Sequence, residues 1–308
     1  MSIPILLVGG HLGVGKTTLI NHLLAAASIR PIAAIVNDFG EIDIDAALLS
    51  STSEKLISLA NGCICCSLQG DLLAALSLVM RQSPTPEAIV IETSGVSNPT
   101  EIARALLDPV IFRAASLDTI VTLVDLRRLL DAPDLMDDSL WRAQVRAADF
   151  LLLTKRDLVP EGDCDRIRRE LHAYKPATLI FEAEHGHVPA DVLFGGGFGA
   201  DRKLNVAPLS VSQFESTSWT SSSPLSIDRF QNIIGRLASK ALRIKGLLTF
   251  VEAPQQTMLF QCVGLRATLA KSPVTLKTGR SAELVFVGRQ GELDAAEIKQ
   301  ILASVELR

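Results

Sequence analysis

The segment Gly10-His11-Leu12-Gly13-Val14-Gly15-Lys16-Thr17-Thr18 constrains this chain most, because an apolar run at 5–8 precedes it and a helix-like stretch at 18–27 follows. Glycines at 10, 13 and 15 let successive backbone N–H groups converge on one point, and the start of the helix adds partial positive charge there. Such a turn cradles phosphate oxygens. Lys16 would span the β- and γ-phosphates and the Thr17 hydroxyl would ligate Mg²⁺, while His11, Val14 and Thr18 lie within or beside the cradle. A strand, this turn and a helix together open a parallel α/β sheet. A glycine-rich turn that binds nothing is the competing reading of the same pattern.

Up to about residue 190 the rest of the chain repeats that alternation. Short apolar runs at 5–8, 32–36, 55–59, 88–91, 119–124, 150–154 and 178–181 are interleaved with helix-like pieces at 68–81, 100–107, 140–147 and 164–173. Hydrophobic residues make up 48% of the chain but aromatics only 5%, the aliphatic bias of strands buried on both faces. The pattern predicts an α/β domain over 1–194, with a mostly parallel sheet flanked by helices. Gly195-Gly196-Gly197-Phe198-Gly199-Ala200-Asp201 reads as a linker, placed at 195–205. Beyond it, runs at 211–219, 246–251, 258–262 and 284–287 with helices at 226–240 and from Asp294 predict a small α+β C-terminal domain over 206–308. Ser221-Ser222-Ser223-Pro224 reads as a solvent loop.

In parallel sheets ligands gather at the carboxyl ends of strands, and the chain's polar motifs fall there. Thr154-Lys155-Arg156-Asp157 ends the sixth run. The Asp157 carboxylate can accept from guanine N1–H and its exocyclic amine together, and Lys155 would lay its stem along the base; adenine has no matching donor pair, so such a site rejects it. Ile91-Glu92-Thr93-Ser94-Gly95 ends the fourth run. Glu92 takes the place of the acid that holds Mg²⁺, and Gly95 lets a backbone N–H approach the γ-phosphate. Asn37-Asp38-Phe39-Gly40-Glu41-Ile42-Asp43-Ile44-Asp45 packs four carboxylates around one glycine and suits a nucleotide switch, with Asp38 a candidate for the Mg²⁺ shell or for orienting the attacking water.

Three of the five cysteines stand in Gly62-Cys63-Ile64-Cys65-Cys66. Three thiolates fill three corners of a tetrahedral Zn²⁺ site and leave the fourth for another ligand, as a carrier requires. Inert buried thiols and a redox sensor are the alternatives. Softness favours Zn²⁺ or Cu(I), with Co²⁺ and Fe²⁺ still open. Glu182-Ala183-Glu184-His185-Gly186-His187 could add ligands, though His-x-His is a weak signal.

A net charge of −4 over 308 residues leaves no electrostatic footprint for nucleic acid and no polybasic membrane anchor. The first residues lack a secretory signal, and thiols spaced this closely are poor disulfide partners. A cytoplasmic location is expected; oligomeric state is not legible.

These residues together resemble the CobW-type metallochaperone GTPases, over nearly the whole chain. The most specific stretch is Ser58-Leu59-Ala60-Asn61-Gly62-Cys63-Ile64-Cys65-Cys66-Ser67-Leu68-Gln69-Gly70-Asp71-Leu72; Asn37 to Glu41, Glu92 to Gly95 and Arg243-Ile244-Lys245-Gly246 fit as well. The resemblance implies a P-loop GTPase domain, with Lys16 and Thr17 at phosphate and Mg²⁺, Glu92 in the magnesium shell, Lys155 and Asp157 at guanine, and Cys63, Cys65 and Cys66 as metal thiolates. It implies GTP hydrolysis coupled to delivery of a transition metal, zinc first, to a client metalloprotein; with no glutamine placed to position water and no arginine finger to assign, slow intrinsic turnover, accelerated by metal or client, is expected. Thr154 stands where the family commonly has asparagine, and Lys175-Pro176 replaces a more usual Asn-Pro. Two rivals are a nucleotide-dependent switch whose cysteines sense metal or redox state, and a small-molecule kinase. Metal affinity in the two nucleotide states separates the first, and nucleotide preference the second.

Overall fold

The computed structural model describes residues 3–25, 31–36, 56–58, 68–176, 178–183, 188, 190–194, 214–264, 266–272, 275–276 and 278–305. The chain divides into two compact units, Ser2–Phe194 and Gly195–Arg308.

In the first unit, the described strands are β1 (Ile3–Gly10), β2 (Ile32–Val36), β3 (Leu56–Ser58), β4 (Ala88–Glu92), β5 (Ala115–Asp125), β6 (Phe150–Thr154) and β7 (Leu179–Glu182). They pair in the order β3-β2-β4-β1-β5-β6-β7, every neighbour parallel. The crossovers and turns carry α1 (Lys16–Ala25), α2 (Leu68–Met80), α3 (Pro99–Ala105), α4 (Pro109–Ala114), α5 (Leu126–Asp131), α6 (Ser139–Ala147), α7 (Glu161–Tyr174) and α8 (Ala190–Phe194). All seven predicted runs are strands.

Side chains alternate across the sheet, so both faces need cover. Ile5, Leu7, Ile35, Ile89 and Ile91 pack with Leu72, Leu76 and Val79 of α2 and with Ile102 and Ile111. Farther along the sheet, Val124, Leu151 and Leu153 pack with Trp141 and Val145 of α6 and with Ile167 and Leu171 of α7. Each such side chain contributes roughly 1.5–3 kcal/mol on burial, which is why these strands read as unbroken aliphatic runs. Short helices start on local chemistry: Asn98 Oδ1 accepts from Thr100 N ahead of α3, Asp108 Oδ1 from Val110 N ahead of α4, and Asp125 Oδ1 from Arg128 N ahead of α5. Pro99 and Pro109 follow the first two caps, where a missing N–H is harmless. The chain leaves β1 toward β2 on one side and β5 toward β6 on the other, which opens a crevice at their carboxyl ends.

In the second unit, β8 (Phe214–Ser221), β9 (Arg243–Phe250), β10 (Ala253–Val263), β11 (Arg266–Lys271) and β12 (Ala282–Arg289) form an antiparallel sheet in the order β11-β10-β9-β12-β8. Helices α9 (Ile227–Ala238) and α10 (Ala295–Ala303) pack on it through Phe230, Ile233, Leu237, Ile298 and Ile301, against Trp219, Ile244, Leu248, Phe260 and Phe286. Ser221 is the last residue of β8 and is buried, so the serine-rich loop begins one residue later than the sequence suggests. Among the described residues no helix is long and apolar enough to cross a membrane.

Candidate nucleotide site

The turn after β1 is built on positive φ angles at Gly10 (132°), Gly13 (73°) and Gly15 (102°). At Gly10 a side chain is also sterically barred, since a Cβ would lie 2.7 Å from Leu123 O of β5. Lys16, the first residue of α1, is 6% exposed; its Nζ donates to Gly10 O at 3.1 Å and His11 O at 3.4 Å. The lysine thus curls back over the loop. Thr17 and Thr18 fill the first turn of α1, half-buried and exposed respectively. Val14 points inward, 2% exposed, and its N–H donates to His11 O at 3.4 Å, so it shapes the loop through its backbone.

Glu92 ends β4 level with Val8, and the next N–H, of Thr93, donates to Val8 O at 2.9 Å. Its carboxylate is buried, with Oε1 3.8 Å from Lys16 Nζ. Burying a carboxylate costs several kcal/mol unless positive charge faces it, and Glu92 with the Thr17 hydroxyl makes the hard oxygen donor set that Mg²⁺ prefers. These residues fit that ion. The following loop lies hard against the phosphate turn: a Cβ on Gly95 would come 2.5 Å from Leu12 N. Two hydroxyls of this loop, Thr93 Oγ1 and Ser97 Oγ, are buried without a hydrogen-bond partner among the described residues.

Beyond β6, Thr154 Oγ1 donates to Val14 O at 2.9 Å, which ties the segment after β6 to the glycine-rich turn. A hydroxyl therefore makes a link across the two loops. Lys155 adopts a left-handed backbone, φ 57°, and its Nζ lies 2.5 Å from Asp125 Oδ2 at the end of β5. Strain of this kind, about 1–2 kcal/mol for a residue with a Cβ, persists where the surroundings enforce it. Asp157 stands exposed in the turn Arg156–Leu158, with no ion pair or hydrogen bond from its side chain among the described residues. His11 titrates below its ordinary value near 6.5, first because it is partly buried and then because Arg128 repels its proton; Asp138 opposes this, and Lys16 adds a smaller repulsion.

The structure thus brings Gly10 to Thr18, Glu92, Gly95, Lys155 and Asp157 to the carboxyl ends of β1, β4 and β6. Asp38, Cys63, Cys65, Cys66, His185 and His187 lie outside the described residues. Three residues at this edge escaped the sequence reading. Asp125 pairs Lys155, Arg128 Nη1 donates to Leu12 O at 3.4 Å, and Gln144 Nε2 donates to Gly95 O and Ser97 O. Asp125 follows the fifth apolar run directly, so a search of strand ends for carboxylates would have found it. Nothing local marks Gln144, which sits mid-helix and 47 to 49 positions from its acceptors.

Residues 4–182 match the family described as CobW/HypB/UreG, nucleotide-binding domain, and residues 214–306 match the one described as cobalamin synthesis protein cobW C-terminal domain. A zinc chaperone CobW from a Sinorhizobium species is 29% identical over 306 residues, covering 86% of each chain. The zinc chaperone YjiA of Escherichia coli is 28% identical over 283 residues, covering 85% of this chain and 86% of its own. A crystal structure of a Zn(II)-bound triple mutant of the YjiA GTPase covers both chains fully at 23% identity with a TM-score of 0.50, a likeness of fold.

Proposed function

Because this chain belongs to the CobW/HypB/UreG family of P-loop GTPases, we propose that it couples GTP hydrolysis to the binding and delivery of a transition metal, zinc before Co²⁺, to a client metalloprotein. The observation that carries the nucleotide half is the buried Lys16 ammonium folded over a turn of three positive-φ glycines and facing Glu92. The names of the relatives, zinc chaperones at 28–29% identity, support the metal half.

In this reading Lys16 exchanges the Gly10 and His11 carbonyls for the β- and γ-phosphates. The Gly95 N–H reads the γ-phosphate, and Asp157 with Lys155 reads guanine. Thr17, Glu92 and Asp38 would hold Mg²⁺, which draws negative charge off the phosphates as the terminal bond breaks. Water attacks the γ-phosphorus, the bond to the β-phosphate oxygen breaks, and GDP and inorganic phosphate leave. Thr154 keeps base and phosphate contacts in register through Val14. The metal is cargo, held by the thiolates of Cys63, Cys65 and Cys66 and released as the nucleotide state changes.

The test is metal stoichiometry and affinity of the purified chain with GDP and with a non-hydrolysable GTP analogue, repeated on Cys65→Ala. A carrier shows different zinc affinities in the two states and loses that difference in the variant. Equal affinities in both states would overturn the carrier and leave a nucleotide-dependent switch whose cysteines sense metal without delivering it.

A further inference from the structure

We propose that Gln144 is a positioning residue for the loop that reads the γ-phosphate, and that it passes the state of that loop to α6. The proposal deepens the function argued above and rests on Gly95 having the reading role given there.

The geometry is specific. Gln144 is 1% exposed, in the middle of α6. Its side-chain Nε2 donates to Gly95 O at 3.2 Å and to Ser97 O at 3.1 Å, two carbonyls on either side of Val96. The Ser97 N–H closes the same turn on Ser94 O at 2.9 Å. The peptide carbonyl of Gln144 is itself held, accepting from Thr122 Oγ1 of β5 at 2.9 Å. One residue therefore fastens the loop after β4 to α6 by its side chain and α6 to β5 by its backbone.

Both protons of one amide are committed to two acceptors on a tight turn, so a small rotation of the turn breaks one bond or both. The loop has little room on its other side, where Gly95 presses on the backbone of Leu12. An N–H of Gly95 drawn toward a terminal phosphate must move its peptide plane, and the carbonyls that Gln144 holds move with that segment. Loop 93–97 also keeps two buried hydroxyls, Thr93 Oγ1 and Ser97 Oγ, that this arrangement leaves without hydrogen bonds among the described residues. A second arrangement that satisfied them would give the loop two states. Gln144 then sets which arrangement is held, and α6 receives the difference.

The experiment compares Gln144→Met with the parent chain, measuring affinity for GDP and for a non-hydrolysable GTP analogue, and splitting kcat from KM in hydrolysis. Methionine keeps the length and removes the donor. Affinity for the GTP analogue should fall about tenfold, in line with the loss of two buried hydrogen bonds, while GDP affinity stays within about twofold and kcat falls further than KM rises. Thr122→Val, which frees the backbone of Gln144 but leaves its amide, should move the same ratio by a smaller factor and serves if Q144M does not fold. Amide hydrogen exchange on the parent should show protection over 141–147 that differs between the two nucleotides. A parent that binds neither nucleotide overturns the GTPase reading together with this one. A parent that binds both, beside variants whose two affinities fall by one common factor or stay unchanged, overturns the role of Gln144 alone; so does exchange that changes over 93–97 but not in α6.

Discussion

At the scale of single residues, the site turns on a buried lysine that faces a buried carboxylate. Lys16 and Glu92 are both below 7% exposed and 3.8 Å apart. Lys16→Met should abolish GTP hydrolysis and also lower stability by about 3–5 kcal/mol, the cost of removing one partner of a buried ion pair; urea unfolding beside phosphate release measures both. Thr154→Val keeps the shape and removes the donor to Val14 O, so it should weaken nucleotide binding by roughly 1–2 kcal/mol with the fold intact, read by titration of a fluorescent nucleotide. His11 gives a pH dependence. Its pKa is lower in the folded chain than its ordinary value near 6.5, so the unfolded chain binds the proton more readily. The resulting stability is complete above about pH 6.5 and is lost as pH falls through 6.5 toward the folded value. His11→Gln should flatten the thermal midpoint over that interval, and an unchanged slope would remove histidine as the cause.

At the scale of elements, the strands were legible because each strand of a covered parallel sheet is a run of aliphatic residues, and seven such runs were there to read. Helix ends were legible where a cap was local, as at Asp294, which accepts from Ala296 N and Glu297 N at 2.9 Å. The short α4 and α5 were missed, since six residues carry too little periodicity even though Asp108-Pro109 and Asp125 are proper starts. Strand β11 was missed for another reason: its described side chains are exposed on both faces, so no alternation marks it. Lys175 shows what a substitution at a loop position can do. Its Nζ donates to the carbonyls of Val145, Arg146 and Ala148 and so closes the carboxyl end of α6. Burial lowers its pKa, against a weaker pull from Asp149, yet it stays a donor. Lys175→Met should cost about 1.5–3 kcal/mol, seen as a lower thermal midpoint; no change would mean that water replaces the ammonium.

At the scale of the whole molecule, every described residue proposed to bind nucleotide lies between positions 10 and 157, inside the unit that ends at Phe194. A chain ending at residue 194 should therefore bind GTP with the affinity of the full protein to within about threefold, since it keeps all of those residues. A large drop, with the truncated chain still folded by circular dichroism, would assign the second unit a direct part in nucleotide binding. The glycine-rich turn, the segment Thr154 to Asp157 and the strands themselves were legible in sequence alone, because each depends on residue types that are near neighbours in the chain: glycines that accept positive φ, a lysine at a helix start, aliphatic runs between polar breaks. Only the tertiary structure decided that Asp125 answers Lys155, that Thr154 holds Val14, and that Gln144 grips a loop nearly fifty residues away. Those contacts depend on which strand ends stand side by side, and strand neighbours are set by packing of the finished sheet rather than by any local pattern.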